Sequence, residues 1–348
     1  MKPKVFVVQP IPEAALDVLR EAAEVSVYPY MDRQITVEEL AAAAKNADWL
    51  FVMHETSVPA EVINANPNLK GIGSFASSTP HIDMKLANAR KIPIVIGDPK
   101  LSPTVSRATA DLTMAMLLGL AYRLADSDRY TRCGKFRQEQ TMALMGIGCP
   151  GKTVGLIGLG KVAEIMAPRI KAFDMHSLYT KRTRLPLARE QELDVEWVPQ
   201  LDDLIKRSDF VCIACDYNSS THKLFGKHQL DLMKPDAYLI NTGRGRIVDE
   251  PELIRALQEK RIAGAALDVY WNEPYMEDHA PSTEPWVPEE LCKLDNVILA
   301  PHNGGATWDV RGGKGVLVAR AMVEMMRGGR PSLLNPEIYA DSLTSARA

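Results

Sequence analysis

Over the first hundred positions, short unbroken apolar runs alternate with segments whose apolar residues recur at helical spacing. The runs at 4–8, 25–28, 49–53, 69–74 and 93–96 predict strands. Between them, 14–23 places Leu16, Val18 and Leu19 on one helical face. Segments 37–46, 59–64 and 82–90 complete the series as helices. Strands apolar on both faces and separated by helices imply a parallel sheet covered on both sides.

The stretch Gly97-Asp98-Pro99-Lys100-Leu101-Ser102-Pro103 breaks this pattern and opens a long predicted helix over 105–125. A connection over 131–151 follows, and from Thr153 the alternation restarts. Strands are predicted at 153–157, 177–180, 209–214, 237–241, 263–268 and 297–299, with helices at 161–173, 200–206, 228–233 and 250–259. A last helix, 314–327, follows Gly312-Gly313. The expected fold is therefore α/β, with two doubly wound parallel-sheet domains. The second is inserted between hinges near 103 and near 305–312, and ligands are expected beyond the carboxyl ends of the strands, in the cleft between the domains.

With 348 residues, 46% hydrophobic and 24% charged, the chain is long enough for two cores. Its net charge of −3 argues against nucleic-acid or membrane partners. The apolar run at the amino end is too short for a signal peptide and the helix around 115–121 too short for a bilayer. Five scattered cysteines suggest a reducing compartment, so a cytoplasmic protein is expected. Cys212 and Cys215 form a C-x-x-C inside a strand-like run without a second ligand pair, which reads as a buried strand; no metal is expected.

The stretch Val154-Gly155-Leu156-Ile157-Gly158-Leu159-Gly160-Lys161-Val162-Ala163 carries the strongest chemical signal. A strand runs into a turn with Gly158 and Gly160, and a helix starts at once, the context in which G-x-G-x-x-A means a dinucleotide fingerprint. Gly158 permits the turn, and Gly160 lets backbone N–H groups approach a pyrophosphate. Lys161 and Val162 offer N–H groups from a helix start of positive polarity.

Three further loops follow predicted strands: Asn241-Thr242-Gly243-Arg244-Gly245-Arg246, Leu267-Asp268-Val269-Tyr270-Trp271-Asn272-Glu273-Pro274 and Pro301-His302-Asn303-Gly304-Gly305. An Arg, a carboxylate and a His converge there. With the fingerprint, these loops resemble the D-isomer-specific 2-hydroxyacid dehydrogenase family, and the resemblance implies reduction of a 2-keto acid, which needs a hydride on the carbonyl carbon and a proton on its oxygen. Imidazole is the side chain suited to hold that proton, so His302 is the candidate acid/base. Glu273, hydrogen-bonded to it, would favour the charged ring and orient it. Arg244 can polarise the keto oxygen and grip a carboxylate as a planar fork.

On these stretches, and on Met233 to Ala237 and Val248-Asp249-Glu250, the chain resembles the D-isomer-specific 2-hydroxyacid dehydrogenase family over essentially its whole length. Ala108-Thr109-Ala110-Asp111-Leu112-Thr113 is similar to the hinge helix of the NADP-dependent glyoxylate/hydroxypyruvate reductases in it. The resemblance implies a Rossmann cofactor domain at 103–305, inserted in a flavodoxin-like substrate-binding domain at 1–102 and 306–348. It implies the same roles for Arg244, Glu273 and His302, and a homodimer joined around the helix 105–125. A substrate carboxylate would sit on the loop holding Ala76, Ser77 and Ser78, where small residues replace the family's usual glycines. Met53 and His54 would face that loop. Further cofactor contacts are expected from Thr109, Cys215, Asn218, Thr221, Thr242, Gly243, Asp268 and Gly304, with Asp268 accepting from the carboxamide. Asp216 stands where most relatives carry Pro, and the segment 275–291 is longer than usual and reads as a surface excursion.

The cofactor's second phosphate is addressed by the loop after the second strand of the inserted domain. An acidic residue there would accept from a ribose 2′-OH; this chain has Lys181-Arg182-Thr183-Arg184 instead. Lys181, Arg182 and Thr183 suit a 2′-phosphate, so NADP(H) is favoured over NAD(H). The expected activity is reduction of glyoxylate, hydroxypyruvate or a related small 2-keto acid to the D-2-hydroxy acid. The alternatives are a same-fold dehydrogenase of another small anion or a larger 2-keto acid, and a dinucleotide-sensing, corepressor-like regulator.

Overall fold

The structure, a computed structural model, describes residues 2–53, 55–75, 81–98, 105–137, 142–273 and 285–339. Of the sequence-predicted site residues, His54, Ala76, Ser77 and Ser78 lie outside them. The described residues fall into two compact units: 2–98 with 307–339, and 105–273 with 285–306. Among the described residues, no helix is long and apolar enough to cross a membrane.

In chain order the first stretch holds β1 (Lys4–Val7), α1 (Glu13–Ala22), β2 (Glu24–Val27), α2 (Val37–Ala44), β3 (Trp49–Val52), α3 (Ala60–Ala65), β4 (Gly71–Ser74), α4 (Met84–Ala89) and β5 (Ile94–Val95). The second unit holds α5 (Val105–Ala121), α6 (Leu124–Arg132), β6 (Thr153–Ile157), α7 (Lys161–Ala172), β7 (His176–Thr180), α8 (Leu187–Leu193), β8 (Val195–Trp197), α9 (Leu201–Arg207) and β9 (Phe210–Ile213). It continues with α10 (Lys227–Leu232), β10 (Tyr238–Asn241), α11 (Glu250–Gln258), β11 (Gly264–Leu267), α12 (Glu289–Cys292) and β12 (Val297–Leu299). α13 (Trp308–Met326) returns to the first unit.

The first sheet is parallel in the order β2-β1-β3-β4-β5, the flavodoxin-like arrangement. Every residue of β3 and β4 is buried, as expected of strands covered on both faces. Gly73 lets α13 come down on the sheet: a methyl group there would meet the Met322 sulfur at 2.1 Å. Helix starts follow local chemistry. Thr36 and Glu39 form a reciprocal capping box on α2, and Asp83 accepts from Leu86 N–H at the start of α4.

The carboxyl-terminal stretch seals the exposed edge of this sheet. Leu333 bridges Val95 in antiparallel fashion, and Ile96 N–H donates to Ser332 C=O (3.1 Å). Asn335 is fully buried: its Oδ1 accepts from Ile94 N–H (2.8 Å), and its amide donates to Ile92 C=O and Asn88 Oδ1 (2.9 Å each).

The second sheet is parallel in the order β12-β11-β10-β9-β6-β7-β8, a Rossmann order extended by one strand. The order in which strands are added reverses between β6 and β9, so the loops after those strands flank the switch point where such sheets bind ligands.

Two predictions needed correction, and one stretch without a prediction proved ordered. The helix expected over 105–125 ends at Ala121 and restarts at Leu124, because Arg123 adopts a left-handed conformation (φ 50°). The carbonyl of Ala121 is taken by Ile147 N–H (2.8 Å), and Arg123 ties the break to Ala143 C=O and Asp126. Residues 187–197, unassigned from sequence, form α8 and β8 around a left-handed Asp194. α13 starts at Trp308 rather than after Gly313, with Thr307 accepting from Val310 N–H as its cap.

Candidate active site

The predicted chemistry-bearing residues sit on loops at the carboxyl ends of β6, β7, β9, β10, β11 and β12, all within the second unit. After β6, Gly158 has φ 93°, and a Cβ on it would stand 2.8 Å from the Cys215 backbone. The turn therefore packs against the loop after β9, at the switch point. Gly160 differs: a Cβ there would meet nothing within 4 Å. The N–H groups of Lys161 and Val162 precede the first intrahelical bond, Glu164 N–H to Gly160 C=O (2.9 Å). A glycine turn, open space at residue 160 and unbonded helix-start donors fit a dinucleotide pyrophosphate.

After β7 the basic residues separate into distinct roles. Lys181 donates to Leu159 C=O (3.2 Å), so its ammonium lies over the glycine turn. Arg184 is committed elsewhere: it grips Glu190 through Nε (2.8 Å) and Nη2 (2.7 Å) and lies over the Trp197 ring. Tyr179 also donates to Glu190 (2.6 Å) and accepts from Leu185 N–H (2.9 Å). The arginine holds the Glu190 carboxyl down at about 2, while burial pushes the Tyr179 phenol up to about 12. This buried Tyr179–Glu190 pair fixes the loop, and Arg182 and Thr183 remain exposed.

The loop after β9 is closed on itself. Asn218 Oδ1 accepts from Ser220, and Thr221 Oγ1 accepts from Asn218 N–H (2.8 Å) and donates to Asp216 C=O (2.8 Å). Burial raises the Cys212 thiol to about 12 and the Cys215 thiol to about 11, which leaves both unreactive at neutral pH.

After β10, buried Asn241 accepts from Gly243 N–H and donates to Arg244 C=O (3.1 Å each), so a side chain shapes the turn that presents Arg244. The Arg244 head is exposed and donates to Gly243 C=O (2.7 Å). Thr242 bonds Thr113 (2.8 Å), which in turn donates to Thr109 C=O (2.7 Å). Asn241 and Thr113 escaped sequence reading, since strand-end Asn and helical Thr are common and their burial is invisible there.

The loops after β11 and β12 are joined by two carboxylates. Asp268 accepts from Asn303 N–H (2.8 Å) and Gly304 N–H (2.9 Å). Burial pushes its carboxyl up, opposed by those two N–H groups and by His302. A methyl group on Gly304 would stand 3.2 Å from Thr109 Oγ1, so Thr109 lies beside this loop. His302 Nδ1 is hydrogen-bonded to Glu273 Oε2, and the histidine backbone is left-handed (φ 50°). Glu273 is buried, whereas the His302 side chain is 30% exposed, so the carboxylate holds the ring from the buried side. Glu273 Oε1 accepts from Tyr270 N–H (2.6 Å).

A second buried acid lies behind this pair. Glu250, at the start of α11, accepts from Trp271 N–H (3.4 Å), and burial, with Glu273 nearby, raises its carboxyl to about 7. In the sequence it stands out only within Val248-Asp249-Glu250, one of the stretches that carry the family resemblance. Trp271 is held by Val248 C=O through its indole N–H (2.6 Å) and lies under Lys223. Met53, at the end of β3, is buried, its N–H donating to Thr56 Oγ1 (3.3 Å). The structure thus brings together His302, Glu273, Asp268, Gly304 and Thr109, and joins Gly158 to Cys215; among the described residues no hydrogen bond links Arg244 to the His302–Glu273 pair.

The chain is similar to known proteins over nearly its whole length. A family model described as "D-isomer specific 2-hydroxyacid dehydrogenase, NAD binding domain" matches residues 114–304. A glyoxylate reductase of Thermococcus gammatolerans is 39% identical over 343 residues, covering 97% of each chain. A putative D-isomer specific 2-hydroxyacid dehydrogenase from Polaromonas superposes with a TM-score of 0.82 at 28% identity, covering 96% of this chain and all of that one. An NADPH-dependent glyoxylate/hydroxypyruvate reductase from Sinorhizobium meliloti, solved with NADP and malonate, gives 0.69 at 27% identity, covering 96% of each.

Proposed function

The chain belongs to the D-isomer specific 2-hydroxyacid dehydrogenase family, NAD(P)-dependent oxidoreductases, and on that premise we propose that it reduces a small 2-keto acid of the glyoxylate/hydroxypyruvate type to the D-2-hydroxy acid, with NADP(H) preferred. The observation that carries this reading is the His302–Glu273 pair, held on the loops after β12 and β11 in the same unit as the Gly158–Gly160 turn.

The bound nicotinamide supplies the hydride. His302 holds the proton that passes to the keto oxygen, and the Glu273 carboxylate orients the ring and offsets its positive charge. Arg244 grips the substrate carboxylate as a fork and polarises the carbonyl. Asp268 anchors the His302 loop through Asn303 and Gly304 and faces the carboxamide side, with Thr109, Thr242 and Gly243 beside it. Gly158, Gly160, Lys161 and Val162 cradle the pyrophosphate. Cys215, Asn218 and Thr221 border the adenosine side.

The cofactor preference rests on Lys181, Arg182 and Thr183. Lys181 is poised over the glycine turn, and Arg182 is exposed with no carboxylate partner among the described residues. The NADPH dependence of the Sinorhizobium meliloti relative points the same way. We assign residues 103–305 to the cofactor and 1–102 with 306–348 to the substrate, where Met53, His54, Ala76, Ser77 and Ser78 would line the site. A homodimer is supported by exposed apolar side chains gathered in one stretch: Tyr122, Leu124, Phe136, Met142 and Met145. The five cysteines are unpaired, which fits a cytoplasmic location.

The deciding experiment follows loss of NADPH or NADH absorbance, at equal concentration, with glyoxylate or hydroxypyruvate. Fast loss favouring NADPH supports the whole reading. Loss favouring NADH keeps the reductase and removes the Lys181–Arg182 argument. Silence with both cofactors overturns the proposed substrate class.

A further inference from the structure

α13 packs its apolar stripe on the first sheet, with Val318 and Met322 fully buried and Met322 seated on Gly73 in the middle of β4. One turn before Val318, on the same stripe, the helix carries Lys314. A core-facing stripe calls for an apolar residue there. Instead the ammonium lies 4.8 Å from the centre of the Phe75 ring. Phe75 directly follows β4, and its N–H donates to Val52 C=O (2.9 Å), closing the carboxyl end of the β3–β4 ladder.

Lys314 is half-buried, and no carboxylate among the described residues pairs with it. Burial alone displaces its ammonium, downward from the ordinary lysine value. The Phe75 face offsets part of that cost, through the attraction of a cation for the negative face of an aromatic ring. A half-buried cation with no carboxylate partner among the described residues, on a stripe that should be apolar, is unexplained by folding. Its position is the end of the sheet at which open α/β folds bind ligands.

From this juxtaposition of Lys314 with Phe75 at the carboxyl end of β4, we infer that Lys314 is an anion-binding residue of the first unit that receives a carboxylate of the substrate. The inference rests on the 2-keto acid reading for the identity of the anion. Two sources have this chemistry: the carboxylate beside the keto group, and a second carboxylate at the far end of a dicarboxylic 2-keto acid.

The test compares the unaltered chain with Lys314→Met and Lys314→Arg, using glyoxylate and 2-ketoglutarate as substrates. Methionine suits the apolar stripe and preserves the fold, and arginine preserves the charge. Loss of one charge-assisted contact is expected to raise KM roughly tenfold to a hundredfold in Lys314→Met. Both kcat and the KM for cofactor are expected to stay within about threefold, with partial rescue in Lys314→Arg. A rise for both substrates assigns Lys314 to the carboxylate beside the keto group; a rise for 2-ketoglutarate alone assigns it to the distal one. Unchanged KM for both overturns the inference.

A second readout is independent of turnover: the rise in Tm on adding oxalate or 2-ketoglutarate. Should the unaltered chain reduce no 2-keto acid, the substrate reading fails, yet a Tm rise lost in Lys314→Met still supports the anion site. An equal rise in both proteins removes it.

Discussion

Glu273 and Glu250 divide two successive backbone N–H groups between them, Tyr270 N–H donating to Glu273 and Trp271 N–H to Glu250. Two buried acids thus share one turn behind His302, and only one of them has an imidazole to offset its charge.

That asymmetry sets a pH dependence of stability. The Glu250 carboxyl is raised from 4.5 to about 7 in the folded chain. Between those values the folded state binds more protons than the unfolded one, so stability falls as pH rises through the window. Glu250→Gln keeps the acceptor and removes the charge. Its Tm gain over the unaltered protein is expected to be larger near about pH 8 than near about pH 5, by at most about 3 kcal/mol in free energy. A gain independent of pH would mean that Glu250 is not the titrating group.

His302→Ala removes the ring while leaving the loop anchored by Asp268. Turnover is expected to fall roughly a hundredfold to ten-thousandfold, with Tm close to that of the unaltered chain. Retained turnover would exclude His302 as the acid/base.

Gly158 and Gly160 are expected to respond differently to alanine. Gly158→Ala places a methyl against the Cys215 backbone in a left-handed conformation. It is expected to cost on the order of 1–3 kcal/mol in stability as well as cofactor affinity. Gly160→Ala meets open space with an extended backbone (φ −103°), so it should lower affinity for NAD(P)H while leaving Tm unchanged. Equal losses of stability at both positions would contradict the separation drawn here.

Reversing charge at Lys181 and Arg182 with Glu is expected to lower the NADPH/NADH ratio of kcat/KM by about tenfold or more. Arg184→Ala should instead lower Tm through the freed, buried Glu190 and leave the ratio close to its original value. A change of ratio in Arg184→Ala alone would move the phosphate contact to Arg184.

The strand–turn–helix around Gly158 and the loops bearing Arg244, Glu273 and His302 were legible because local patterns mark them: apolar runs, glycine turns and polar clusters just past strand ends. What stayed hidden depends on contacts distant in sequence. Nothing around Arg123 announces a left-handed break, which is imposed by Ile147 and Ala143 reaching across. The capture of Arg184 by Glu190 separates a run of four basic or polar residues into two cations with no carboxylate partner among the described residues and one structural cation. Lys314 follows two glycines, which concealed both the start of α13 and the stripe the lysine interrupts.

The seal that Leu333 and Asn335 place on β5 has a bearing on how the chain is made. The strands of the first unit leave the ribosome before the second unit, but the segment that finishes their sheet leaves after it. All of the second unit, from Val105 to Ala306, is synthesised in between, an interval on the order of ten seconds or longer. During it, β5 presents an open edge and the seat of α13 on Gly73 lies bare, while the inserted unit already has every strand it needs. The nascent chain is therefore more exposed to aggregation in the earlier-made strands β1 to β5 than in the inserted unit made after them, and shielding by a chaperone would serve those strands.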